Sequence, residues 1–149
     1  MQSSRWTFQA VGVQYPGYNV LVVDDDAATR SMIADVLDDG FENLNVVVAA
    51  DGADAIDKIR SGFRPTLVLT DVHMPNMNGL ELLEWVRNVH VGTVVIGMSA
   101  RHRRDDGFDD FLPKPFLVKD LLARVSRWVR VQGRGCMAER DPGPSTGVP

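Results

Sequence analysis

The chain has one cysteine, Cys136, no apolar run of membrane-spanning length and no excess of basic residues. Each shortage excludes something. One thiol cannot close an internal disulfide, which fits a reducing compartment. A membrane helix needs about 18 or more consecutive apolar residues, and no stretch approaches that length. A signal-peptide core is missing near the N-terminus, where Gln9, Gly12 and Gln14 interrupt the apolar positions. A cytoplasmic location without membrane contact is the resulting expectation. The net charge is −4, whereas nucleic-acid-binding domains usually carry a basic face, so direct DNA binding is not expected. The one basic run, Arg101-His102-Arg103-Arg104, is followed at once by Asp105-Asp106 and reads as a solvated loop. No internal repeat is present.

What is there suits one domain with a proper core. The chain has 149 residues, of which 44% are hydrophobic and 24% charged. Four apolar runs of strand length recur: Val20-Leu21-Val22-Val23, Val46-Val47-Val48-Ala49, Leu67 to Thr70, and Val94-Val95-Ile96-Gly97-Met98. Continuous β-type runs fit strands buried on both faces. A short fifth strand is expected at Phe111-Leu112-Pro113. Helical periodicity falls between them. The spacing predicts helices from about Ala28 to Asp38 (Met32, Ile33, Val36 and Leu37 inward) and from Ala53 to Ser61 (Ile56 and Ile59 inward). Two more are predicted from Leu80 to Asn88 (Leu83, Trp85 and Val86 inward) and from Leu117 to Arg130 (Leu121, Leu122, Val125, Trp128 and Val129 inward). Strands alternating with helices specify a doubly wound parallel α/β sheet. Residues 1–18 read as an N-terminal extension, with Trp6, Phe8, Val11 and Val13 able to form an arm or short strand. Residues 19–131 form the domain. Residues 132–149, rich in Gly, Pro, Ser and charge, read as a disordered tail.

In such a sheet, ligand sites form outside the carboxyl ends of the strands. Four ends carry polar residues: Asp24-Asp25-Asp26 after the first strand, Asp71 after the third, Ser99 after the fourth and Lys114 after the fifth. Any one of these could be a cap or a surface turn. Their falling together at one edge points to chemistry. Clustered carboxylates repel unless a cation joins them, and a few carboxylates with water suit Mg²⁺. A carboxylate between that cation and Lys114 is placed to attack a phosphoryl group. The metal, the ammonium and the Ser99 hydroxyl can then meet the phosphoryl oxygens, and the product is an aspartyl phosphate.

Val22-Val23-Asp24-Asp25, Asp71 with Met74-Pro75-Asn76-Met77-Asn78-Gly79, Ser99-Ala100 and Lys114-Pro115-Phe116 together resemble the receiver domain of two-component response regulators, over about residues 19–130. The resemblance implies a flavodoxin-like five-stranded fold and phosphorylation of Asp71 by a histidine kinase or histidine phosphotransfer protein. It implies Mg²⁺ bound by Asp24, Asp25, Asp71 and the backbone carbonyl of His73. It makes Ser99 the switch hydroxyl, Phe111 the switch aromatic and Lys114 the phosphate-holding lysine before a cis proline bond. His73 and Arg101 fall at positions that tune hydrolysis in the family. Such a protein is a phosphoacceptor that assists its own phosphorylation and dephosphorylation, not a turnover enzyme.

One part departs from the family pattern. Between Ser99 and Gly107 the chain is short by about two helical turns, ~7 residues, and Arg101 to Asp106 has no apolar stripe. The fourth helix is predicted absent or reduced. The flank of the fourth strand would then lie open to a partner, the N-terminal arm or a second copy of the chain. No output domain is expected after Arg130, so the chain reads as a stand-alone receiver or a fragment cut from a longer protein. A stand-alone receiver would act by binding an unidentified downstream protein, a homodimer included, or by relaying phosphate. Two alternatives stand beside this reading. One is a pseudo-receiver that binds partners without taking phosphate. The other is a haloacid-dehalogenase-type phosphatase with Asp24 as nucleophile. The latter lacks its usual Thr or Val at Ala28, finds only Asp120 for its last acidic motif, and leaves Asp71-x-x-Met74-Pro75 without a role.

Overall fold

The computed structural model describes residues 18–90, 92–101 and 107–137. Five strands form one parallel sheet: β1 (Tyr18–Val23), β2 (Leu44–Ala49), β3 (Leu67–Asp71), β4 (Val94–Ser99) and β5 (Asp110–Pro113), in the order β2-β1-β3-β4-β5. Helices α1 (Ala27–Gly40), α2 (Gly52–Arg60) and α3 (Gly79–Val89) follow the first three strands, and α4 (Val118–Met137) follows β5. This is the expected flavodoxin-like arrangement.

Alternation along the strands divides the core in two. Val20, Val22, Leu67, Leu69, Ile96, Met98 and Leu112 face α1 and α4, where Ile33, Leu37, Leu121, Val125 and Val129 meet them. Leu21, Val23, Val47, Val68 and Val95 face α2 and α3, where Ile56, Ile59, Leu82 and Val86 meet them. Strands β1 to β4 therefore bury both faces, which is why their sequences are predominantly apolar. Helices α1, α2 and α3 each start on a cap supplied by the loop before them. Asp26 caps α1 by accepting from the Thr29 amide, Asp51 caps α2 by accepting from the Asp54 amide, and Asn78 forms a capping box with Glu81 on α3.

One expected inward position, Met32, sits at the rim instead, and Trp85 and Trp128 pack against the core only half-buried. Met32 is 40% exposed; Ile33, Ala34 and Leu37 carry the buried stripe of α1. Trp85 is half-buried between α2 and α3 with the Arg60 guanidinium 5.7 Å above its ring. Trp128 is half-buried and donates its indole N–H to Asp110 at 2.8 Å. Large rings with a polar tip or a cation partner favour such boundary positions. Helix α4 continues to Met137, past the Arg130 end that periodicity predicts. Residues 132–137 of the stretch expected to be a disordered tail are therefore helical.

Between β4 and β5 no helix occurs among the described residues: Ala100, Arg101 and Gly107 to Asp109 are loop. The rest of the Arg101–Asp106 run, the N-terminal arm and the tail beyond residue 137 lie outside the described residues. The flank expected to be open is closed in part. The Phe108 ring packs against the α2–α3 core, and it does so over Gly97, where a Cβ would sit only 2.9 Å from a ring carbon. Arg87 of α3 donates to the Thr93 carbonyl at 3.0 Å, the Gly107 carbonyl at 3.1 Å and the Asp109 carboxylate at 2.9 Å. Asp109 in turn accepts from the Val95 amide at 2.8 Å.

Candidate functional site

Parallel pairing brings the strand ends to one edge, and the polar residues predicted there meet. Asp24 follows β1 and is fully buried. Its Oδ2 accepts from Lys114 Nζ at 3.0 Å and its Oδ1 from the Asp26 amide at 2.9 Å. Arg30 holds the Asp24 carbonyl at 2.8 Å. Asp71 ends β3, is 8% exposed, and has Oδ2 3.5 Å from Lys114 Nζ. Asp25 is exposed, yet one carboxylate oxygen from each of Asp24, Asp25 and Asp71 lies within 4.8 Å of the others. The run of three aspartates thus divides its work: Asp24 and Asp25 join the cluster, while Asp26 caps α1. The hydrogen bonds from the Thr29 hydroxyl and amide hold Asp26 below the usual carboxylate range.

The electrostatics follow from burial. Desolvation pushes the Asp71 carboxyl up; the Lys114 ammonium works against this, while Asp24 and Asp25 add to it. Burial alone would lower Lys114, but the Asp24 and Asp71 carboxylates outweigh it and hold the ammonium above its ordinary value. Three hard oxygen donors, two buried and one open to water, fit a small, partly hydrated divalent cation. Such a cation would also relieve the repulsion that raises Asp71.

Lys114 precedes Pro115 through a cis peptide bond. Ser99 ends β4 almost fully buried, and its Oγ accepts from the Arg101 amide at 3.0 Å. Phe111 is buried in β5, whereas His73, two residues after Asp71, and Arg101, two residues after Ser99, are exposed. The loop after Asp71 is closely fitted. The Gly79 amide donates to the Val72 carbonyl at 2.8 Å, and a Cβ on Gly79 would lie 2.4 Å from the Asp71 carbonyl oxygen. Only glycine lets α3 start that close to the strand end.

Sequence reasoning missed one strand end. After β2, Asp51 accepts from Asn76 Nδ2 at 3.0 Å as well as from the Asp54 amide, and the Asn76 hydrogen bond is the largest influence holding its carboxyl low. The signal was available in part: Asp51-Gly52 after an apolar strand is a cap signature, but its partner lies 25 residues away.

A family model described as response regulator receiver domain matches residues 20–126. The chain belongs to that family. This receiver is 38% identical over 118 residues to the response regulator MprA of Mycolicibacterium vanbaalenii, a match covering 74% of this chain and 50% of the relative. The MprA of Mycobacterium avium is 37% identical over the same share. The receiver thus spans about half the length of the curated relatives it matches. Among solved structures, a CheY-like receiver from Methanospirillum hungatei superposes with TM-score 0.71 at 27% identity, covering 80% of this chain and 98% of the other. CheY4 of Vibrio cholerae gives 0.67 at 29% identity, covering 75% and 98%. Receiver domains interact with histidine kinases and are phosphoacceptors rather than turnover enzymes; the family binds Mg²⁺ at an acidic cluster like the one described. The phosphatase alternative falls with this assignment, and Asp24 is engaged by Lys114 and the Asp26 amide rather than presented to a substrate. No helix of the described residues is long and apolar enough to cross a membrane.

Proposed function

We propose that this receiver takes a phosphoryl group on Asp71 from a phosphohistidine of a histidine kinase or phosphotransfer protein. Asp24, Asp25, Asp71 and the backbone carbonyl of His73 would hold Mg²⁺. The observation that carries the reading is Lys114 Nζ lying 3.0 Å from Asp24 and 3.5 Å from Asp71 beside a three-carboxylate cluster. An Asp71 oxygen forms the new O–P bond as the P–N bond of the donor breaks, and the departing imidazole takes up a proton. Lys114 offers an ammonium to the phosphoryl oxygens. Ser99, whose oxygen accepts from the Arg101 amide, retains its own proton to donate to one of them. Bound Mg²⁺ would neutralise charge on the phosphoryl oxygens and fix their orientation.

Hydrolysis reverses the modification: water attacks phosphorus and the Asp71 carboxylate leaves. His73 and Arg101, exposed on either side, are positioned to tune that step. Ser99 and Phe111 form the switch pair, and the output is contact with a downstream protein, a second copy of this chain included. The receiver's net charge of −4 supports a protein rather than DNA as its own direct contact. A kinase donor places it in the cytoplasm.

Intact-mass measurement after incubation with phosphoramidate tests the proposal. One phosphoryl adduct should form with Mg²⁺, fail to form with EDTA, and be absent from Asp71→Asn. No Mg²⁺-dependent adduct would make the protein a pseudo-receiver.

A further inference from the structure

The loop from Val72 to Asn78 carries the backbone carbonyl assigned to the cation, yet His73, Pro75 and Asn76 are exposed and it has no regular structure of its own. What fixes it comes largely from the end of β2. The Asn76 side chain donates to Asp51 Oδ2 at 3.0 Å. The neighbouring Gly52 amide donates to the Met77 carbonyl at 3.2 Å. A Cβ on Gly52 would lie 2.6 Å from Met77 Cγ, so the two segments touch backbone to loop. Asn76 itself has φ of 67°, a left-handed conformation that an ordinary side chain adopts only at a cost. Asp51 thus joins two tasks. One oxygen caps α2, and the other holds the left-handed corner of the phosphoacceptor loop.

From this geometry we infer that Asp51 is a positioning residue for the cation and phosphoryl site, acting through Asn76 on the loop that carries the His73 carbonyl. The inference rests on the function proposed above. The physical reason is general: groups that orient metal ligands without touching the metal typically change affinity by about 10–100-fold when removed. The Asn76 hydrogen bond also holds the Asp51 carboxyl below the usual carboxylate range. All five strands then contribute a polar group at the carboxyl edge, four facing the reacting centre and the fifth holding the loop beside it.

Two substitutions separate loop positioning from helix capping. Asp51→Ser keeps a hydroxyl to cap α2 but is too short to reach Asn76. Asn76→Gly keeps the positive φ without strain and removes only the amide. The test is Mg²⁺ titration by calorimetry on the full chain without a phosphodonor, together with the Mg²⁺ dependence of phosphoramidate labelling. Each variant should weaken Mg²⁺ binding about tenfold, raise the half-saturating Mg²⁺ to match, and reach nearly the wild-type labelling rate at saturating Mg²⁺. The double variant should be no worse than either single one, since both remove the same bond. Asp51→Asn, which can pair its amide with that of Asn76, should recover most of the affinity. Wild-type Mg²⁺ affinity in Asp51→Ser and Asn76→Gly would overturn the positioning role and leave the proposed function standing. A wild-type protein that binds no Mg²⁺ would overturn both.

Discussion

The two sides of the sheet's carboxyl edge answer to different rules. Along β1 and β3 the edge carries Asp24, Asp25 and Asp71, with Lys114 reaching across from the end of β5 to within 3.0 Å of Asp24 and 3.5 Å of Asp71. Along β4 and β5 a connection too short for a full helix is closed by one ring, Phe108, and one clasp, Arg87 with Asp109. The site depends on strands, which present side chains from buried, fixed backbone. The flank depends on whatever apolar surface is to hand. The β5 edge shows the same economy: the Phe111 amide meets the Asp110 carboxylate at 2.8 Å, Arg124 donates to the Phe111 carbonyl, and Pro113 has no N–H. Those contacts blunt the edge against strand addition. A receiver can therefore keep its reacting edge while altering the surface beside it.

If the two regions are independent, damage to one should spare the other. The largest effect is expected at the reacting edge. Asp71→Asn should abolish phosphoramidate labelling while leaving the far-ultraviolet circular dichroism unchanged. Lys114→Ala should slow labelling by on the order of a hundredfold, as loss of a charge-stabilising donor does. It also leaves Asp24 buried without its cation. Lys114 is 24% exposed, so water softens that cost to about 1–3 kcal/mol, readable by urea denaturation.

On the flank, Gly97→Ala sets a methyl against the Phe108 ring and should cost about 1–3 kcal/mol by overpacking. Adding Phe108→Ala should relieve part of that cost, so the double variant is less destabilised than the sum of the two singles. Labelling of Asp71 should stay within about twofold throughout, the expectation for uncoupled sites. A large loss of labelling in Gly97→Ala would show that the flank and the edge are one unit.

The smallest expected effect is a pH dependence. Burial raises the Asp71 pKa, so between its ordinary and raised values the folded state binds more protons than the unfolded state. Stability without metal should then fall as pH rises through that window, and the cost persists above it. Asp71→Asn should lack this fall, making the variant the more stable protein at neutral pH and not in acid. Thermal melts in EDTA across the acidic range read the difference.

Much of this was legible in the sequence because it is local or periodic. Val20 to Val23 and Leu67 to Thr70 announce doubly buried strands, and each stops at a carboxylate, so Asp24, Asp25 and Asp71 could be placed on one edge before any coordinates. Lys114 and Ser99 followed from the same topology. Asp51 and the pair of Gly97 with Phe108 were not legible, because their meaning lies in a partner that only the fold brings near. Met32 was misplaced, because helical periodicity gives a face and does not say where the face ends; Trp85 and Trp128 pack against the core as expected, only half-buried. At those borders, Trp85 lies under the Arg60 guanidinium and Trp128 donates to Asp110.

The central claim is that the edge around Asp71 is a working phosphoryl site despite the shortened β4–β5 connection. Beryllofluoride titration with Mg²⁺, followed by backbone amide resonances, tests it most directly. The account predicts saturable, Mg²⁺-dependent shifts at Asp71, Ser99 and Lys114 that persist in Phe108→Ala. Resonances at these three residues that do not move with beryllofluoride and Mg²⁺ in the wild-type protein would contradict it.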